Sequence, residues 1–114
     1  MKTEIKGFEF ELREFTIMDR EILENECYKI VDGYPEIKTG TTKKYALILG
    51  CKSAPFFTSV ISESLGVTKR IINEREKEYY NMDKKYYDTI NDLVIAINNI
   101  NKTNTQEAED IAKK

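Results

Sequence analysis

Phe8, Phe10 and Leu12 alternate with Glu9, Glu11 and Arg13. A period of two is that of a half-buried strand. Thr3–Ile5 precedes this run, and Lys6-Gly7 lies between as a two-residue turn in which Gly7 supplies a positive φ. The pattern predicts a β-hairpin with Ile5 opposite Phe8 and Thr3 opposite Phe10 on one face. The period then changes. Met18, Ile22, Leu23, Cys27, Ile30 and Val31 recur at helical spacing and form one apolar stripe. They predict a first helix over residues 17–32. Thr16-Ile17-Met18-Asp19 has the form of a capping box at its start, with Asp in place of Glu. Gly33 reads as its terminating residue, and Pro35 forbids continuation. Residues 34–40 read as a loop.

Thr41 or Thr42 caps a second helix over residues 43–52. Tyr45, Leu47, Ile48, Leu49 and Cys51 cover most of its circumference. A helix apolar nearly all round is buried or lies in an interface. Gly50 within it permits close approach of another backbone. Pro55 suits the first position of a short third helix over residues 55–65, lined by Phe56, Phe57, Val60, Ile61 and Leu65 and ended by Gly66. Thr68 caps a charged helix that reaches Tyr80. Asn81-Met82-Asp83 breaks the chain, with Asp83 as a new cap. Tyr86, Tyr87, Ile90, Leu93, Val94, Ile97 and Ile100 then repeat through a last helix. Two helices are the preferred reading of residues 69–101. Residues 102–114 are polar and read as a flexible tail. The expected fold is α+β and mainly α. One domain over residues 1–101 packs an N-terminal β-hairpin on a bundle of four to five helices.

Composition narrows the chemistry. The chain has 114 residues and no histidine. There is no imidazole for a triad, a general base or a metal ligand. The five glycines are isolated, so neither a phosphate loop nor a dinucleotide fingerprint can be written. Glu9 and Glu11 share the outward face of a strand, which is the ordinary place for solvated carboxylates. Ser53, Ser59, Ser62 and Ser64 lack a partner base. The acidic residues lack the spacing of a calcium loop. The expectation is a non-enzymatic protein with no catalytic residues, no metal and no cofactor. Cys27 and Cys51 sit in apolar stretches and read as small buried hydrophobes. Met1–Lys6 is charged and no apolar run follows it, so no secretory signal is expected. The longest apolar run, Tyr45–Cys51, is too short to cross a bilayer. No membrane partner is expected.

The net charge is −2. It gives no global argument for a nucleic-acid partner. It hides an acidic first third, in which residues 1–32 carry five Lys/Arg against nine Asp/Glu. Residues 57–80 nevertheless resemble a helix-turn-helix signature. Ser62 stands four before Gly66, Leu65 and Val67 flank that glycine, and Ile72 is β-branched further along. On that reading Thr68, Lys69, Arg70, Asn73 and Arg75 face the major groove of DNA, although Glu74, Glu76 and Glu78 would sit near phosphates. The plainer reading is a helix end at Gly66 followed by a newly capped helix.

The tyrosine pairs Tyr79-Tyr80 and Tyr86-Tyr87 lie seven apart. One member of each pair is expected in the core. The outer members would form an amphipathic binding patch, because Tyr is favoured at interfaces. With Tyr45 and Leu49 of the apolar second helix, and Phe56 and Phe57 after it, the candidate partner-binding residues are Tyr45, Leu49, Phe56, Phe57, Tyr79, Tyr80, Tyr86 and Tyr87.

The layout resembles a family, the tail assembly chaperones of long-tailed phages and prophages. Three phrases carry the resemblance. Phe10-Glu11-Leu12-Arg13-Glu14-Phe15-Thr16-Ile17-Met18-Asp19-Arg20 leads from hairpin to helix. Tyr45–Pro55 is the apolar helix ending near a proline. Asp92-Leu93-Val94 through Ile97 to Asn101 is the closing phrase. The resemblance as a whole, hairpin included, covers about residues 3–101. The resemblance implies a protein of the bacterial host cytoplasm that binds the long helical tape measure protein during tail assembly. It also implies self-association into a homo-oligomer around that partner. A structural component of a phage tail or baseplate is the third reading.

Overall fold

The computed structural model describes the backbone of residues 1–113 and the side chains of residues 1–101. Among residues 1–101 about 52% are helical and 22% are in strands or bridges, so the fold is α+β with helices in the majority. The expected flexible tail, residues 102–114, lies outside the residues described in full.

The N-terminal hairpin forms as its alternation predicts. β1 (Lys2–Ile5) pairs antiparallel with β2 (Phe8–Leu12), and Ile5 faces Phe8 while Thr3 faces Phe10. Lys6 and Gly7 take φ of 52° and 85°, the two positive values of the tight hairpin turn. Phe10 and Leu12 are buried. Next comes α1 (Ile17–Cys27), opened by the expected capping box. The Thr16 hydroxyl accepts from the Asp19 N–H, and the Asp19 carboxylate accepts from the Thr16 N–H.

The chain then departs from the helical reading of residues 17–32. α1 stops at Cys27, and a second hairpin follows, β3 (Tyr28–Val31) with β4 (Tyr34–Ile37). Asp32 and Gly33 have φ of 51° and 83°. They are the turn of this hairpin, so Gly33 does not end a helix and residues 34–37 are not loop. Asp-Gly between β-prone residues is a strong hairpin signal. The hairpin stands out from the body: β4 is exposed along its whole length, and only Val31 of β3 is partly covered.

α2 (Thr39–Gly50) starts earlier than expected, with Lys38 at its N-cap. Thr42 does not cap it but donates from Oγ1 to the Lys38 carbonyl. Tyr45–Gly50 are all buried. α2 is the central rod of the molecule, flanked by α1, by α3 (Lys69–Tyr80) and by α4 (Tyr87–Lys113). Gly50 permits a close approach, by a side chain and not a backbone. A Cβ there would lie 2.5 Å from Ile97 Cγ2 of α4.

Helix α2 passes into β5 (Cys51–Ser53), which pairs with β2 and completes a three-stranded sheet of order β1-β2-β5. Cys51 is therefore in a strand. The expected helix over residues 55–65 is not formed. After a single bridge between Ala54 and Phe57 the segment runs irregularly to Thr68. Long-range bonds hold it, including the Ile61 N–H donating to the Lys52 carbonyl. Among the described residues there are four α-helices, with α2 at the centre and α1, α3 and α4 around it. Thr68 caps α3 and Asp83 caps a 3₁₀ turn (Lys84–Tyr86) that leads into α4. The break at residues 81–83 and the two-helix reading of residues 69–101 both hold.

Candidate partner-binding surface

Two buried arginines set the frame of the surface. The last carbonyls of a helix have no partners within it, and those of α2 are buried. Arg13, leaving β2, donates from its backbone N–H to the Gly50 carbonyl and from Nη1 to the Leu49 carbonyl at 2.7 Å. Its Nη2 donates to the Leu65 carbonyl at 2.8 Å. Nη1 also meets Asp19 at 2.8 Å, with both side chains fully buried. Asp19 accepts in turn from the Val67 N–H. One ion pair therefore ties β2, the start of α1, the end of α2 and the segment 65–67.

Arg75 of α3 does the same from the other side. Nη1 donates to the carbonyls of Ile48 and Cys51, Nη2 to those of Lys52 and Ser59, and Nε to the Ser59 hydroxyl. All five bonds end on neutral oxygens, and the guanidinium lies 4.5 Å from the Phe57 ring centre. The negative end of the α2 dipole and the ring face compensate the charge. Burial pulls the Arg75 pKa down to about 10, which still leaves it cationic at neutral pH.

Against this frame α1 and α3 leave a groove of about 500 Å³. One stripe of α1 supplies Met18, Ile22 and Glu26, and α3 supplies Lys69, Ile72, Asn73 and Glu76. Tyr45 of α2 and Val67 form its floor and are buried. The wall from residue 69 to residue 76 is two helical turns, roughly 10 Å. The interior is apolar and the rim is polar. Lys69 stands at the Met18 end, and Glu26 and Glu76 at the other. Glu76 meets Lys44 at 3.0 Å. Burial works against the charge on Lys44, but the Tyr80 hydroxyl and the Glu76 carboxylate outweigh it and hold the ammonium above the usual lysine range. Burial, then Glu26, raise the Tyr45 phenol above its ordinary value, so it stays neutral. Gly66 packs against the Met18 side chain, which seats the segment 65–67 on the first turn of α1.

The residues singled out from sequence divide among several places. Leu49 is fully buried in the core and Phe57 lies under Arg75, so neither reaches the surface. Tyr45 lines the groove. Phe56 and Tyr86 are half-buried in an aromatic cluster with Phe8, Phe10 and Phe57. Tyr79 is half-buried while Tyr80 is 67% and Tyr87 51% exposed. These last three share a shallow depression with Met82 and Ile90, away from the α1–α3 groove. Tyr79 stays un-ionised, its pKa raised by burial.

The helix-turn-helix reading loses its first helix, since residues 57–65 are not helical. Arg75 faces the core and not a DNA groove. Thr68, Lys69, Arg70 and Asn73 are exposed on the first half of α3. Among the described residues no group of His, Cys, Asp and Glu could hold a metal ion, and no helix is long and apolar enough to cross a membrane. Sequence reasoning did not single out the groove residues Met18, Ile22, Ile72 and Glu26 as a site. The first two stood only as members of an apolar stripe, and the signal available was that the charged helix after Thr68 carries few apolar residues to cover that stripe. Comparison with known proteins finds no matching family model, no matching curated protein and no matching solved structure.

Proposed function

We propose that the protein is a non-enzymatic binding module that takes an amphipathic helix into the groove between α1 and α3. The observation that carries this reading is the groove itself, open to solvent, apolar inside and two helical turns long. A helix laid into such a groove anchors through residues at i, i+3, i+4 and i+7. Glu26 at one end favours a helix with a basic residue there. In the setting that the sequence resemblance implies, the module is a phage tail assembly chaperone of the bacterial host cytoplasm, and the helix belongs to the tape measure protein.

Co-expression with a phage tape measure protein, a very long helical chain, tests the role. The long protein is expected to be soluble with this chain and insoluble without it. Ile22→Glu places a carboxylate in the groove wall and is expected to abolish that rescue while leaving the fold intact. Equal solubility of the long protein with and without this chain would remove the chaperone reading. A structural component of a tail or baseplate would remain in the assembled particle, whereas a chaperone is absent from it.

A further inference from the structure

The β3–β4 hairpin presents an apolar face that is largely exposed among the described residues. Tyr28 pairs with Ile37, and Ile30 with Pro35. Residues paired across strands share a face, so these four side chains lie together. Ile30 is 70%, Ile37 60% and Tyr28 44% exposed. A two-stranded hairpin is marginal by itself in water, and patches of this kind mark contact sites.

The hydrogen-bond pattern shows which edge is open. Asp32-Gly33 is a two-residue turn, so Val31 and Tyr34 exchange their bonds inward. Lys29 with Glu36 follows the same phase, and the ladder continues with the Lys38 N–H donating to the Cys27 carbonyl at 2.7 Å. Ile30 and Pro35 therefore point their backbone groups outward. On β4 the outward position is a proline, which has no N–H and blunts that edge. On β3 the Ile30 N–H and carbonyl are both outward, and among the described residues no strand lies beside them.

We propose that this edge pairs with the same edge of a second copy of the chain. β3 meets β3 of the partner copy antiparallel about a two-fold axis, giving one four-stranded sheet across two molecules. Outward residues must meet outward residues, which leaves two central registers. In one, Lys29 lies directly opposite its own copy, a like-charge pair that is destabilising. In the other, Ile30 lies opposite Ile30, exchanging both backbone bonds, and Lys29 faces Val31. The second register is the one adopted. It also joins the two apolar faces into one continuous surface, with the Lys29–Glu36 pair of each hairpin on the opposite side. The hairpin is small beside the roughly 800 Å² per partner of a stable complex, so the dimer is weak and concentration-dependent. This pairing is independent of the helix-docking groove, which lies between other elements.

Sedimentation of the full chain over a concentration series tests the pairing. A reversible monomer–dimer equilibrium is expected. Ile30→Lys should raise its dissociation constant by roughly tenfold or more, with an unchanged thermal midpoint showing that the body is intact. Ile30→Cys should cross-link to a dimer with a short bis-maleimide, and Tyr34→Cys, on the far strand, should not. The native Cys27 and Cys51 are buried and stay silent. A chain that stays monomeric throughout would overturn the proposal. So would a dimer indifferent to Ile30→Lys, equal cross-linking at both positions, or pairing of β3 with an added extended peptide in preference to itself.

Discussion

Arg13 and Arg75 solve one problem from two sides. A helix end that is buried leaves carbonyls without water, and each such group costs free energy. Arg75 alone satisfies four carbonyls and a hydroxyl. Replacing it by an apolar side chain of similar size removes all five bonds; the Lys52 carbonyl keeps the Ile61 N–H, while the other oxygens lose this donor. Arg75→Met is therefore expected to lower stability by about 3 kcal/mol, read from urea unfolding. Arg75→Lys should recover only part of this, since an ammonium has three donors against five. A Met variant as stable as the wild type would contradict the role given to the guanidinium. Cys51 gives a second test at this scale. Burial pushes its thiol up to about 12 from an ordinary 9.0. The folded state thus holds the proton that the unfolded chain releases above pH 9. That contribution is complete below pH 9 and is lost as the pH rises toward 12. Stability should fall through this window, and Cys51→Ala should fall less steeply in a pH series of unfolding curves.

At the scale of elements, α2 and α4 meet through Gly50 and Ile97. Gly50→Ala gains helix propensity but drives a methyl into a fully buried side chain. Overpacking of this kind costs about 1–3 kcal/mol, and a net loss of stability is expected. Ile97→Ala removes the clashing Cγ2, so Gly50→Ala should cost less in that background, and a double-mutant cycle measures the coupling. Additive effects would mean that the two residues do not compete for space. The elements legible in the sequence were those fixed by local chemistry. The alternation of Phe8–Leu12, the Thr16–Asp19 box and the caps at Thr68 and Asp83 each carry their cause within a few residues. The misreadings have causes too. Cys27, Ile30 and Val31 continue a helical spacing by accident, and the turn chemistry of Asp32-Gly33 decides the outcome against them. Residues 55–65 carry helix-like apolar spacing, but Arg75 from another element claims the carbonyls of Lys52 and Ser59 and fixes an irregular path. A charged residue on a charged helix reads as solvated, so nothing local announced that Arg75 is core.

The whole molecule is a central apolar helix wrapped by three others and closed at one end by a small sheet. The α1–α3 groove and the projecting hairpin are separate, and each offers apolar area with a polar border. The aromatic candidates read from sequence went largely to the core, where each buries a large apolar area, and to a shallow depression. The groove was hidden from sequence because it is made by three helices and a loop distant in the chain, brought together by the Asp19 bonds to Arg13 and Val67. The central claim is that this groove receives a helix. Methyl NMR of the chain, titrated with a helical fragment of a phage tape measure protein, tests it most directly. The account expects the signals of Met18, Ile22, Val67 and Ile72 to shift or broaden together, while those of Ile90 and Ile95 stay in place. Movement at Ile90 and Ile95 with the groove methyls unchanged would contradict it.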